Sequence, residues 1–180
     1  GDAMIIPQKR LVNILQRVKE RLPWVQRVGF YANTKSIAMK TDDQLKELHD
    51  LGVKIAYMGL ESGDDHILKQ IKKGADSSKM IKMGKRVKQA GIQLSITVLN
   101  GLGGRKNSVR HAMETGRVLS AIDPDFVGAL TLMLVPGTEL YDQDEKGDFE
   151  LMNPEEMLEE LGLMIGSTHL SNGLFHANHA

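Results

Sequence analysis

Apolar positions along the chain alternate between a helical period and short continuous runs. Leu11, Val12, Leu15, Val18 and Leu22 keep helical spacing behind Pro7 and stop at Pro23, which predicts a helix over 8–22. Residues 25–32 read as a short strand. Thr41-Asp-Asp-Gln44 has the spacing of a capping box and opens a helix through Leu45, Leu48 and Leu51, which Gly52 ends. Then comes Lys54-Ile-Ala-Tyr-Met-Gly-Leu-Glu-Ser-Gly63, an apolar strand that delivers the carboxylate of Glu61 at its far end. Ile67, Leu68 and Ile71 predict a short helix over 64–73, closed by Gly74. A further helix starts at Ser77 or Ser78, carries Met80, Ile81, Met83, Val87 and Ala90 inward, and ends at Gly91. A strand over 92–99 runs into Asn100-Gly-Leu-Gly-Gly104. A helix over 107–122 is broken by Asp123-Pro124, and an apolar strand over 126–134 ends at Val135-Pro-Gly-Thr138. Asn153-Pro-Glu-Glu156 opens a last, acidic helix with Met157, Leu158, Leu161 and Ile165 inward, and Leu174-Phe175 reads as a final strand.

Strand and helix thus alternate through at least four units of about 30 to 40 residues, the signature of βαβ units on a parallel sheet. The fold class is α/β, with parallel βα repeats in a single domain over 1–180. Right-handed crossovers place the loops after Ala32, Leu60, Leu99 and Leu134 at one edge, and Glu61 lies where ligands sit in such folds. Near-continuous apolar strands are those expected where helices cover both sheet faces. A closed eight-unit barrel needs about 250 residues, so 180 residues predict an incomplete, partial TIM-type barrel.

Composition narrows the function classes. Twenty-three basic residues balance twenty-three acidic ones, so no bulk electrostatic footprint for nucleic acid exists. No apolar run reaches the roughly 18 to 20 residues needed to cross a bilayer, so no membrane partner is expected and the chain reads as cytoplasmic. Cysteine is absent, which removes disulfides and thiolate metal sites. His176-Ala-Asn-His179 falls short of the three or four ligands a zinc ion requires, and no metal ligand is assigned. His49, His66 and His111 fall on helix faces expected to be solvated. The chain begins at Gly1, not methionine, which suggests processing or truncation.

Four segments in order, Met58-Gly-Leu-Glu-Ser-Gly63, Leu68-Lys-Gln-Ile-Lys-Lys-Gly74, Thr97-Val-Leu-Asn-Gly-Leu-Gly-Gly104 and Val135-Pro-Gly-Thr-Glu-Leu-Tyr141, resemble the radical S-adenosylmethionine (SAM) superfamily. The likeness is to the branch containing oxygen-independent coproporphyrinogen oxidases and methylthiotransferases. It implies a six-unit partial barrel, a [4Fe-4S] cluster on a Cys-x3-Cys-x2-Cys loop, SAM chelated to the open iron, and an electron donor that drives reductive cleavage to a 5′-deoxyadenosyl radical. The cluster loop has no counterpart here, so the resemblance is to the carboxyl-terminal part of that core, inactive by itself. An exposed strand edge would then favour a homo-oligomer.

Position by position, the resemblance implies that Gly1 and Asp2 match a glycine-rich segment at the SAM amino group, with Asp2 replacing a second glycine. Asn33 is the nearest polar residue where relatives place a glutamate near SAM. Glu61 matches the residue that hydrogen-bonds the SAM ribose, and Lys73 stands where relatives bind the SAM carboxylate with arginine. Thr97 and Gly101 match the segment holding the adenosyl group, Val135 lies against adenine, and Asn178 with His179 face substrate. Plainer readings stand beside these: Glu61 as a helix cap, Lys73 as a solvated residue at a helix end, and the glycines after residue 100 as a loop needing positive φ. Two other functions fit the same pattern, a non-catalytic nucleoside-binding module and a barrel enzyme binding a phosphorylated metabolite.

Overall fold

The computed structural model describes residues 2–179, with backbone alone for Asn178 and His179. Five strands, β1 (Val28–Tyr31), β2 (Val53–Glu61), β3 (Gln93–Asn100), β4 (Phe126–Thr131) and β5 (Leu174–His179), form one sheet in sequential order. Every neighbouring pair is parallel. Because each crossover advances one strand in the same direction, the helices gather on one face and the sheet is an incomplete barrel wall. They are α1 (Gln8–Arg21), α2 (Thr34–Ala38), α3 (Asp42–Asp50), α4 (Asp65–Gln70), α5 (Ser77–Gln89), α6 (Gly104–Ile122), α7 (Glu139–Glu145) and α8 (Pro154–Gly166).

The two sheet faces differ in chemistry. Ala56, Met58, Leu60, Leu94, Ile96, Val98, Val127 and Ala129 point toward the helices and are buried in the main core. The alternate positions Tyr57, Gly59, Ser95, Thr97 and Gly128 are half-buried, so the expectation of helices on both faces is corrected to one face only. On the second face of β2, Ile55 and Tyr57 give way to Gly59 toward the carboxyl end of the strand.

Local signals account for most boundaries. Thr41 and Gln44 form the expected capping box of α3, Asp64 caps α4, and Asn153 with Glu156 caps α8 behind Pro154. β1 begins at Val28, not at residue 25, and the short helices α2 and α7 were not anticipated. Helix α6 begins at Gly104, ahead of the expected 107. Its orphan Arg105 N–H is satisfied by the carbonyl of Glu150, 2.9 Å away, a partner no local pattern announces.

His111 also departs from expectation: it is fully buried within α6, on the face that carries Ala112, Thr115 and Leu119, whereas His66 is exposed as expected. Its Nδ1 meets the Ser62 hydroxyl at 2.8 Å and its Nε2 the Leu99 carbonyl at 3.2 Å, which fits a neutral ring protonated on Nε2. Burial pushes its pKa down to about 4, against the pull of the Leu99 carbonyl and Asp64. The β2 rim is packed as tightly: a Cβ on Gly63 would lie 2.6 Å from Thr115 Cα, backbone against backbone.

Gly63→Ala should therefore cost about 3 kcal/mol or more in urea unfolding. Gly162→Ala, where an added methyl in exposed α8 meets nothing within 4 Å, should stabilise by about 0.5 to 1 kcal/mol. For His111, the unfolded imidazole binds its proton near the ordinary 6.5 while the folded one resists to about 4. In that window the unfolded state binds more protons, so stability falls as pH drops. Relative to His111→Gln, the wild type should lose about 3 kcal/mol more between those pH values, read by unfolding at each pH.

Candidate functional site

Glu61 ends β2 with a backbone φ of 63°, a region that residues bearing a Cβ enter only at a cost. The register shift between Gly59 and Glu61 produces it: Gly59 pairs with Thr97 and Glu61 with Val98, leaving Leu60 as the extra residue. The Glu61 side chain folds back over Gly59, where a Cβ would overlap its Oε1 atom. Gly59 is thus glycine because the carboxylate occupies the place of its side chain.

Lys73 Nζ donates to Glu61 Oε1 at 2.9 Å, and the two side chains are 23% and 28% exposed. Left-handed Lys72 (φ 54°) and Gly74 (φ 74°) bracket Lys73. These two turns bring the lysine back from the end of α4 to the β2 rim. Asp64, not Glu61, caps the following helix, and Lys73, just past the end of α4, is paired with a carboxylate. Across the ladder from Gly59, Thr97 completes a recess on the open face whose floor is Gly59, Ser95 and Gly128.

The other sequence-nominated residues take different parts. Asp2 forms a parallel bridge with Tyr31, and its carboxylate accepts the N–H of Met4 at 2.9 Å and of Asn33 at 3.0 Å. Asn33 spends its Oδ1 capping α2, accepting Lys35 and Ser36 N–H at 2.9 Å each. Both lie at the β1 rim, already occupied with backbone. Gly101 adopts φ 90° and its N–H is held by Glu160, so it shapes the turn after β3. Val135 is 55% exposed in the loop past β4. Gly1 and the side chains of Asn178 and His179 lie outside the described residues; the backbone places His179 opposite Leu130.

A buried polar cluster behind the rim was missed. Ser62 Oγ accepts the Asp64 N–H at 3.0 Å while bonding His111, Thr115 Oγ1 accepts the Gly63 N–H at 2.9 Å, and Glu160 accepts the Gly101 N–H at 2.6 Å. The four-residue spacing of His111 and Thr115 on an otherwise apolar helix face was the signal. A cleft of about 360 Å³ between α4, α6 and α7, lined by Ile67, Leu102, Arg105, Leu140 and Phe149, lies apart from this rim and contains neither Glu61 nor Thr97.

The recess brings together a carboxylate held over a glycine floor, a hydroxyl and a cation. An iron–sulfur cluster finds no thiolate among these residues, and no group of three metal-binding side chains occurs among the described ones.

Comparison with known proteins agrees with the fold. The sequence profile of the radical SAM superfamily matches residues 5–119. The tRNA uridine(34) acetyltransferase of Methanocaldococcus infernus is 26% identical over 121 residues, covering 66% of this chain and 22% of that protein. The solved Elp3 of Methanocaldococcus infernus superposes with a TM-score of 0.66 at 18% identity, over 84% of this chain and 34% of that one. Coproporphyrinogen III oxidase of Escherichia coli gives 0.69 at 13% identity, over 92% and 38%. The chain therefore spans well under half the length of these proteins, and the structural likeness speaks to fold alone. With its profile match over most of the sequence and its incomplete parallel barrel, the chain belongs to the radical SAM superfamily.

Proposed function

We propose that this chain forms the SAM-holding part of a radical SAM enzyme, with the cofactor lying along the open rim of β2, β3 and β4. Glu61 accepts hydrogen bonds from the ribose hydroxyls, as acidic residues do at nucleotide riboses. Lys73 holds Glu61 in place and presents a positive charge toward the SAM carboxylate. Thr97 and the Gly101 turn border the adenosyl group, and Val135 offers an apolar contact for adenine. SAM, when bound, supplies a sulfonium whose one-electron cleavage yields hydrogen-abstracting chemistry; this chain's residues bind and orient it. A [4Fe-4S] cluster and an electron donor would come from elsewhere in the working enzyme.

One observation carries this reading: the left-handed Glu61, whose carboxylate lies over Gly59 and against Lys73. Strain of this kind persists where surrounding structure enforces it, and it clusters at ligand sites.

Calorimetric titration with SAM and with S-adenosylhomocysteine tests the reading, since both share the adenosyl group. Both should bind, and Glu61→Gln should weaken them about tenfold by removing a charged acceptor. Gly59→Ala should displace the carboxylate and weaken binding similarly while leaving the thermal midpoint nearly unchanged. Equal affinity in wild type and Glu61→Gln would contradict the proposal.

A further inference from the structure

Behind the recess, α8 grips the end of β3 at two adjacent residues. Glu160 Oε1 accepts the Gly101 N–H at 2.6 Å, and one turn earlier the Met157 carbonyl accepts Asn100 Nδ2 at 2.9 Å. Glu160 is 2% exposed and Asn100 1%. By distance and angle no hydrogen bond reaches Glu160 Oε2 or Asn100 Oδ1 among the described residues, although the Ser108 hydroxyl faces the Glu160 carboxyl. Burying a bare carboxylate oxygen is costly, and a group in that position is driven toward its protonated form. Burial accordingly pushes the Glu160 carboxyl above its ordinary range, against the lowering pull of the Gly101 N–H and the Ser108 hydroxyl. Mere core packing would be met more cheaply by an apolar side chain of similar volume.

We propose that Glu160 is a positioning residue of the recess, whose gain or loss of one proton slackens or tightens the Gly101 turn that borders the cofactor. The inference rests on the recess seating SAM. Ionised, Glu160 makes a charge-assisted bond to the Gly101 N–H; protonated, it makes a neutral bond about half as strong. Gly101 transmits the difference because its φ of 90° has no support from a side chain of its own.

Elements packed against α8 offer few competing charges. From α6, His111 Nε2 stands 3.7 Å from Oε1, beyond hydrogen-bond range, and Arg105 is bound by Glu150 and Glu156. Behind His111, Asp64 is paired with Arg110. On α8 itself Glu156 is held by Arg105 and Glu159 faces out, and β3 contributes no charged group at this contact.

The test follows the Gly101 amide by nuclear magnetic resonance from about pH 4 to 8, in the full chain and in Glu160→Gln. In the wild type the Gly101 proton should titrate with a midpoint above the ordinary glutamate range, while distant Gly52 does not follow it. In Glu160→Gln the Gly101 curve should be flat. A flat Gly101 curve in the wild type, or one that persists in Glu160→Gln, overturns the proposal, and the wild-type curve decides even if the variant does not fold. SAM affinity, measured by calorimetry on the same samples, should rise about tenfold across that titration and be independent of pH in Glu160→Gln. Constant affinity beside a titrating Gly101 also overturns the proposal. Absence of SAM binding at every pH instead overturns the SAM reading, and the Gly101 curve then decides the Glu160 contact by itself.

Discussion

Each strand of this sheet is laid beside the one before it, always in the same direction. A right-handed crossover repeated without reversal puts every connecting helix on one side. The other side receives no helix from the repeat, and its character follows from that deficit. Tyr57, Ser95 and Thr97 are half-buried there, and Gly59 and Gly128 leave room. In a doubly wound sheet the same strands would carry large apolar residues on both faces. Here the helix-facing positions are Val, Ile, Leu, Met and Ala, while the middle of the open face carries Gly59, Ser95, Thr97 and Gly128, with larger residues such as Ile55, Tyr57 and Leu99 toward its margins. A site on the open face therefore requires no cavity in the core, only groups brought over the rim.

Bringing groups over the rim demands backbone that regular strands do not provide. The Leu60 bulge sets Glu61 opposite Val98, and its left-handed backbone lays the carboxylate back over Gly59 rather than letting it run on past the strand end. That conformation is held from behind. Ser62, Gly63 and Asp64 are locked to His111, Thr115 and Arg110 of α6, and the turn after β3 is locked to α8 through Gly101 and Glu160. The two rim turns that frame the recess are thus each held by polar groups on the helices behind them, α6 for one and α8 for the other. Most of the hydrogen bonds in this support go to backbone groups of the turns themselves, with Glu160 Oε2 and Asn100 Oδ1 left over among the described residues, which gives the support its specificity: an apolar helix face would pack but would not select one turn geometry.

Much of this was legible in the residues. Caps at Thr41, Asp64 and Asn153, glycines after the helices, and alternating periods located nearly every long element, because those signals act within one turn of chain. The rim position of Glu61 followed from strand direction alone. What escaped required a partner far along the chain. The early start of α6 depends on Glu150, the burial of His111 on Ser62 and Leu99, and the left-handed state of Glu61 on a register that only the neighbouring strand sets. The helical period placed His111 on a face with Ala112, Thr115 and Leu119, yet its polarity favoured solvent. Long-range hydrogen bonds decided the matter.

Lysine at position 73 shows how such a rim keeps a capacity for ligand. An arginine would offer a planar fork able to take both oxygens of the Glu61 carboxylate. Lys73 is a compact point charge and engages Oε1 only; among the described residues Oε2 receives no hydrogen bond. The ammonium thus fixes the carboxylate over Gly59 and offsets part of its charge, while one oxygen stays available on the open face. With the backbone of Glu61 already strained toward the recess, the pair is arranged before any ligand arrives, so less ordering remains to be done on binding. A point charge at residue 73, on this geometry, braces the carboxylate through one oxygen and leaves the other without a hydrogen bond among the described residues.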